Sequence, residues 1–387
     1  MTNILTLNKI ANIGLVRFGD GYNFGDSVEN PAGVLVRSAS MHDYDLPESV
    51  LGVARAGAGV NNIPVEKYAD EGVVVFNTPG ANANAVKEMA IAGLLLSSRK
   101  IVQSVEWARG LKGKGDEVPK LVEKGKADFA GPEIVGKKLG VIGLGAIGIM
   151  VANAAQKLGM EVYGYDPFLS TEAAWGLSNR TRRSTSIKEI FATCDYISLH
   201  VPLNNDTRGM INAEAISEMK DGMRILNFSR AELVDSGAIV DAVKSGKVAS
   251  YVVDFPTDEI LGVDGIIAIP HLGASTPESE DNCAAMAVDQ LRDFIENGSI
   301  RNAISYPDLS AGIPEHSRVC VLHKNIPNVL TKLSGIFTAQ DLNIENLLSK
   351  SKKDYAYTVL DFNGKLTADT LTALSEVSGV IKVRTIR

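Results

Sequence analysis

Residues 138–166 constrain this chain more than any other stretch. Leu139 to Ile142 is a short apolar run that reads as a buried strand, and it opens directly into Gly143, Gly145 and Gly148, the spacing G-x-G-x-x-G. Behind the glycines, Ile147, Val151, Ala154, Ala155 and Leu158 recur at helical spacing, and Gly159 stands where a helix C-terminal cap belongs. Residues 161–165 then read as a second strand, ending on Asp166.

Each part of that pattern has a mechanical task. Gly143 allows the tight turn, Gly145 lets the backbone approach a pyrophosphate, and Gly148 lets helix and strand pack closely. The free N–H groups at the helix start face the phosphates. Asp166 lies about 20 residues beyond the glycines, where a carboxylate accepts hydrogen bonds from ribose hydroxyls. A 2′-phosphate would be repelled there, so the pattern predicts a dinucleotide site that favours NAD over NADP.

The 387 residues are 45% hydrophobic and 22% charged, enough for two or three domains with substantial cores. A net charge of -7 with no basic stripe argues against a nucleic-acid surface. Cys194, Cys283 and Cys320 are odd in number, far apart and outside any CxxC spacing, which predicts neither a disulfide framework nor a zinc or other metal site. The start, MTNILTLNKI, lacks a cationic segment followed by an unbroken apolar core, and no apolar run approaches about 20 residues, so a soluble cytoplasmic protein is expected.

Residues 1–98 alternate strand and helix signals, with β-rich runs at 33–36, 50–54 and 73–76 that predict a small parallel α/β domain. Arg37 directly follows one run and Arg55, Gly57, Ala58 and Gly59 follow another. Such glycine-rich turns offer backbone N–H groups to a carboxylate, and an arginine fork suits a phosphate. Residues 83–100 read as a helix leaving this domain, and 110–131 as a mobile connection or short helix. Further strands at 196–201, 224–228, 250–253 and 266–269 continue a doubly wound sheet. A long helix over 276–297 is expected to pack back on the first domain and make it discontinuous.

In such sheets ligands sit outside the carboxyl ends of the strands. Arg230, Asp254, Glu259 and His271 all follow strand ends there. A cation, an acid and an imidazole beside a nicotinamide form the minimal set for oxidising a hydroxy acid: Arg230 clamps the carboxylate and polarises the oxygen at C2, and His271 takes the hydroxyl proton. The imidazole needs an acid to orient it, and Glu259 or the adjacent Asp258 could serve.

At these residues the chain resembles the D-isomer-specific 2-hydroxyacid dehydrogenase family, through VRSAS, RAGAGVNNI, NTPGANANAV, GKKLGVIGLGAIG, GYDP, LHVPL, RILNFSRAELVD, VVDFPTDE and PHLGAST. The resemblance implies a flavodoxin-like substrate domain over 1–98 and 278–305 and a Rossmann NAD domain over 99–277, both doubly wound parallel sheets. It implies Arg230, Glu259 and His271 as catalytic residues, and cofactor contacts at Ala146, Ile147, Asp166, Phe228, Ser229, Arg230, Asp254, His271, Leu272, Gly273 and Ala274. Arg37 matches the arginine that holds a substrate phosphate, so 3-phosphoglycerate is the expected substrate. Another D-2-hydroxy acid, or an NAD-sensing protein without chemistry, are the alternatives. Two departures from the family pattern stand out. The usual Arg-Gly-Gly is Arg230-Ala231-Glu232, and only eleven residues separate Glu259 from His271.

After the turn-rich residues 306–314 the order strand, helix, two strands, helix, strand over 315–387 predicts a ferredoxin-like split unit. HKNIPNVLTKLSGIFTAQDLNIENL resembles the ACT regulatory domain. By that match His323, Asn325 and Asn343 hold an amino-acid effector, serine, and Asn328 replaces a glycine in a position that tolerates left-handed backbone. Exposed edge strands in such a domain pair between subunits, which predicts a homo-oligomer, dimer or tetramer.

Overall fold

The computed structural model describes residues 1–386. Three sheets account for its strands. The first is wholly parallel: β1 (Thr2–Thr6), β2 (Tyr22–Gly25), β3 (Gly33–Val36), β4 (Gly52–Arg55) and β5 (Val74–Phe76), in the order β2-β1-β3-β4-β5. This is the flavodoxin-like order. Strands β1 and β2 were not expected from sequence, because β2 is a half-exposed edge strand without an apolar run.

The second sheet is also parallel, with β6 (Lys138–Ile142), β7 (Glu161–Tyr165), β8 (Arg182–Arg183), β9 (Tyr196–Leu199), β10 (Met223–Asn227), β11 (Val248–Val253) and β12 (Ile266–Ala268). Their order, β12-β11-β10-β9-β6-β7-β8, reverses beside β6, as in a Rossmann sheet, and places the glycine turn at the switch point. Helices Ala83–Ser98 and Ala146–Lys157 cover one face, burying Val86, Ala90, Leu94, Val151 and Ala155 against Leu139, Leu226 and Val252. Helix Ser236–Lys244 covers the other, with Ile239 in a core that includes Ile197, Ile225 and Val253. Both faces are therefore apolar, which is why these strands read as unbroken hydrophobic runs.

The third sheet is antiparallel: β13 (Ser317–Lys324), β14 (Ile344–Lys352), β15 (Tyr355–Phe362) and β16 (Val380–Ile386), in the order β14-β15-β13-β16. It is consistent with an ACT-type domain. Helix Val329–Ala339 begins at Asn328, which takes a left-handed conformation (φ +69°).

The chain divides into two compact units, Met1–Asn82 with Pro277–Arg387, and Ala83–Thr276. Helix Ala83–Ser98, assigned on sequence to residues 1–98, thus lies with the second sheet. The C-terminal segment, set apart on sequence as 315–387, lies in the same unit as the first sheet. Within that unit, helix Pro277–Asn297 places Leu291 and Phe294 in a core shared with Phe76 of β5 and with Cys320, Leu322, Tyr357 and Val359 of the C-terminal sheet. Polar contacts reinforce it. Arg318, 1% exposed, pairs with Asp361 at 2.6 Å and donates to the carbonyls of Asn297, Ala311 and Gly312. Tyr357 donates to Gly298 O, Arg384 to Phe294 O and Ile295 O, and Lys324 pairs with Asp70. Gly298 (φ +76°) has no room for a side chain, since a Cβ there would lie 2.6 Å from Cys320 Sγ.

No helix of the described residues is long and apolar enough to cross a membrane, and no group of three or more His, Cys, Asp or Glu among them could hold a metal ion.

Candidate active site

The glycine turn is built as its spacing requires. Gly143 has φ +92°, and a Cβ there would lie 2.5 Å from the His200 carbonyl oxygen. A Cβ on Gly148 would lie 1.9 Å from Gly143 O, so only glycine lets the helix sit on the strand end. Around Gly145 a Cβ would meet nothing within 4 Å. No side chain caps the helix that starts there, and Ala146 is exposed at its first turn. Open space beside uncapped N–H groups suits a pyrophosphate. Asp166, just past β7, accepts from Leu144 N through one oxygen and from Phe168 N through the other, both at 2.8 Å. A carboxylate has about four acceptor sites, so capacity remains for ribose hydroxyls.

Arg230 lies three residues past β10 on a turn tied by Asn227. The Asn227 side chain, fully buried, accepts from Ser229 N (3.1 Å) and donates to Arg230 O (2.8 Å) and Tyr251 OH (3.2 Å). Ser229 Oγ donates to Leu199 O at 2.8 Å. Phe228 points into the core, leaving its main chain to face a ligand. Arg230 itself is exposed, and its guanidinium donates to Ser229 O at 2.6 Å.

His271 lies three residues past β12 with φ +53°, an uncommon conformation outside glycine. Asp254, 1% exposed, holds it there. The Asp254 carbonyl accepts from His271 N (3.0 Å), and its two carboxylate oxygens accept from Leu272 N and Gly273 N at 2.7 Å each. Burial nonetheless raises the Asp254 carboxyl above its ordinary value, with the two backbone N–H groups opposing. Ala274, half-buried, completes the loop.

The side chains of His271 and Arg230 meet at Phe255. The imidazole lies against its ring at 4.6 Å between centroids with the planes tilted by 51°, and the guanidinium carbon lies 5.9 Å from the same centroid. Glu259 and Asp258 are both exposed, and among the described residues neither is found in an ion pair with His271. The structure thus joins Arg230, Asp254 and His271 but does not bring either acid onto the imidazole.

In the other unit, Arg37 is half-exposed and pairs with Glu280 at 2.7 Å. The backbone N–H groups of Arg37, Ser38 and Ala39 converge on Asn8 Oδ1. Arg55 Nε donates to Arg37 O at 3.1 Å, and its guanidinium lies where a Cβ on Gly57 would be, 2.5 Å away. Ala58 O accepts from Asn77, and Gly59 is half-buried.

In the C-terminal sheet, His323 is buried with Nε2 at 2.9 Å from Thr358 Oγ1 and Nδ1 at 2.8 Å from Lys324 O, and burial pushes its pKa down. With Asn325, Asn328, Thr331, Ser349 and Lys350 it lines a cavity of about 460 Å³. Asn343 is exposed and does not line it.

Asn227, Phe255 and His200 escaped the sequence reading as individual residues. Asn227 had a signal, a polar residue inside the apolar strand RILNF that must find partners when buried. His200 follows β9; its Nε2 lies 2.8 Å from Ser198 Oγ, its Nδ1 is buried without a partner, and burial pushes its pKa down to about 4.

Residues 91–273 match the family model for the NAD-binding domain of D-isomer specific 2-hydroxyacid dehydrogenases. A D-3-phosphoglycerate dehydrogenase of Haemophilus influenzae is 29% identical over 383 residues, covering 94% of this chain and 89% of that one. The Escherichia coli K12 protein of the same name is 32% identical over 339 residues, 84% of this chain and 79% of that one. The solved structure of an NAD+-bound 3-phosphoglycerate dehydrogenase from Entamoeba histolytica superposes with a TM-score of 0.60 at 27% identity, over 80% of this chain and 99% of that one. With a glycine turn that fits a dinucleotide and an arginine and a histidine gathered at the strand ends, the chain belongs to the D-isomer-specific 2-hydroxyacid dehydrogenase family, as an NAD-dependent oxidoreductase.

Proposed function

We propose that the chain oxidises 3-phospho-D-glycerate to 3-phosphohydroxypyruvate, the first step of serine biosynthesis, with Arg230, Glu259 and His271 as its catalytic residues. The meeting of Arg230 and His271 at Phe255 is the observation that carries this reading. The Arg230 guanidinium binds the substrate carboxylate and polarises the C2 oxygen, and His271 accepts the hydroxyl proton. NAD, when bound, supplies the hydride acceptor. Glu259 is assigned to stabilise the imidazolium, since catalytic hydrogen bonds often tighten only with ligands in place.

Gly143, Gly145, Ala146, Ile147 and Gly148 are assigned to the pyrophosphate, and Asp166 to the ribose. Phe228, Ser229, Asp254 and residues 271–274 are assigned to the nicotinamide end. Arg37 is assigned to the substrate phosphate, and Arg55 with Gly57, Ala58 and Gly59 to its carboxylate. Relatives named for this activity, matched over 89% and 79% of their lengths, support the substrate. Serine is the proposed effector, at the cavity lined by His323 and Asn325, in a homo-oligomeric enzyme. Asn343, away from that cavity, is the weakest member of the effector set.

The Arg37–Glu280 ion pair favours a second reading, a D-2-hydroxy acid without a phosphate, because a phosphate must compete with Glu280 for the guanidinium. One assay separates the two: NADH formation from 3-phosphoglycerate and from unphosphorylated hydroxy acids, with and without serine, by the parent chain and by Arg37→Ala. Selective loss with the phosphorylated substrate supports the first reading, and equal losses support the second.

A further inference from the structure

We propose that Phe255 is a positioning residue, the side chain that fixes the Arg230 guanidinium and the His271 imidazole in one relation so that carboxylate clamp and proton acceptor address the same carbon. The inference rests on Arg230 and His271 being the catalytic pair. Among the described residues, the imidazole makes no hydrogen bond, and Phe255 is the side chain found against both groups. Without an acid on its ring, an imidazole at the end of an exposed loop is free to rotate about its side-chain bonds. A tilted aromatic contact at 4.6 Å removes part of that freedom, and the same ring attracts the guanidinium through its electron-rich face.

Phe255 can act as a fixed reference because it is itself held. It directly follows Asp254, which sets the backbone of residues 271–273. One side of its ring packs on the apolar core under the second sheet. Beside it, Val234, Ile239, Tyr251 and Ile260 leave a space of only about 10 Å³, too small to take the ring. The dipeptide Asp254-Phe255 therefore governs His271 twice, through its main chain and through its ring. During turnover His271 accepts a proton, and the ring beside it keeps the imidazole in the orientation that acceptance needs. The shared ring also keeps a second cation, Arg230, within reach of the same electron density.

The experiment uses the full chain. Phe255→Leu keeps an apolar side chain and removes the aromatic face, whereas Phe255→Tyr retains it. With 3-phosphoglycerate as substrate, F255L should lower kcat about tenfold while KM for NAD and thermal stability stay near the parent's; F255Y should stay within about twofold. Unchanged kcat in F255L, or equal losses in F255L and F255Y, overturns the proposal. His271→Asn keeps the two levels apart. Turnover that survives in H271N overturns the catalytic assignment itself, whereas an inactive H271N beside an unaltered F255L overturns only the role of Phe255.

Discussion

Gly273 donates its backbone N–H to Oδ2 of Asp254 across 2.7 Å, and a Cβ at residue 273 would stand the same 2.7 Å from that oxygen. The hydrogen bond that anchors the histidine loop therefore exists only because residue 273 has no side chain. Gly273→Ala should push the loop outward by a few tenths of an ångström. Since misplacing a catalytic group by about 1 Å can cost 100-fold, turnover should drop roughly 10- to 100-fold. Steady-state kinetics beside a melting curve checks this, with the melting temperature expected to move little.

Arg230→Lys keeps the charge and loses the planar fork. A lysine cannot hold a carboxylate through two parallel hydrogen bonds. It also presents a more strongly hydrated cation to Phe255. We expect kcat/KM for the hydroxy acid to fall about 100-fold, equivalent to roughly 3 kcal/mol. NAD affinity, measured by fluorescence titration, should change far less, and a parallel loss of NAD binding would count against the carboxylate role.

His200 gives the fold a pH dependence whose sign is set. Burial pushes its imidazole down to about 4, whereas an unfolded histidine titrates near ~6.5. Between those values the unfolded chain binds the extra proton, so stability is held above about pH 6.5 and is lost as pH falls toward 4. The full effect is on the order of 3 kcal/mol. Urea unfolding at pH 7 and pH 5 should show the loss in the parent chain, and His200→Gln should flatten it.

Arg318 carries a structural prediction. Its guanidinium is buried with Asp361 and satisfies three carbonyls, so Arg318→Ala strands a carboxylate and those acceptors together. Breaking such a buried pair costs about 3–5 kcal/mol. Removing residues 315–387 altogether should be worse, because Phe294 loses Cys320, Leu322, Tyr357 and Arg384 around it. We expect an aggregating product, and a monodisperse truncation with an unchanged melting temperature would refute this.

Much of the site was legible because its residues stand at strand ends that hydrophobic runs reveal. Gly143 and Gly148 stand where a side chain would not fit, as their spacing requires. What stayed hidden depends on side-chain direction. The sequence offers Glu259, with Asp258 beside it, as the partner for His271, and nothing in it says that both stay exposed while Phe255 takes the contact. Arg37 announces a cation, yet its engagement by Glu280 links residues 243 positions apart. Strand β2 was missed because an edge strand half open to water needs no apolar pattern.

Gly72 adopts φ +72° against Lys382, where a Cβ would come within 2.7 Å of that residue's Cβ, and Gly298 does the same against Cys320. Two bare spots on one surface accept two particular side chains of another, like an inlay cut for its piece. Such a module cannot be swapped as a cassette: a transplanted tail would meet a surface carved for different atoms, and a gene exchange that succeeds must carry both halves of the joint.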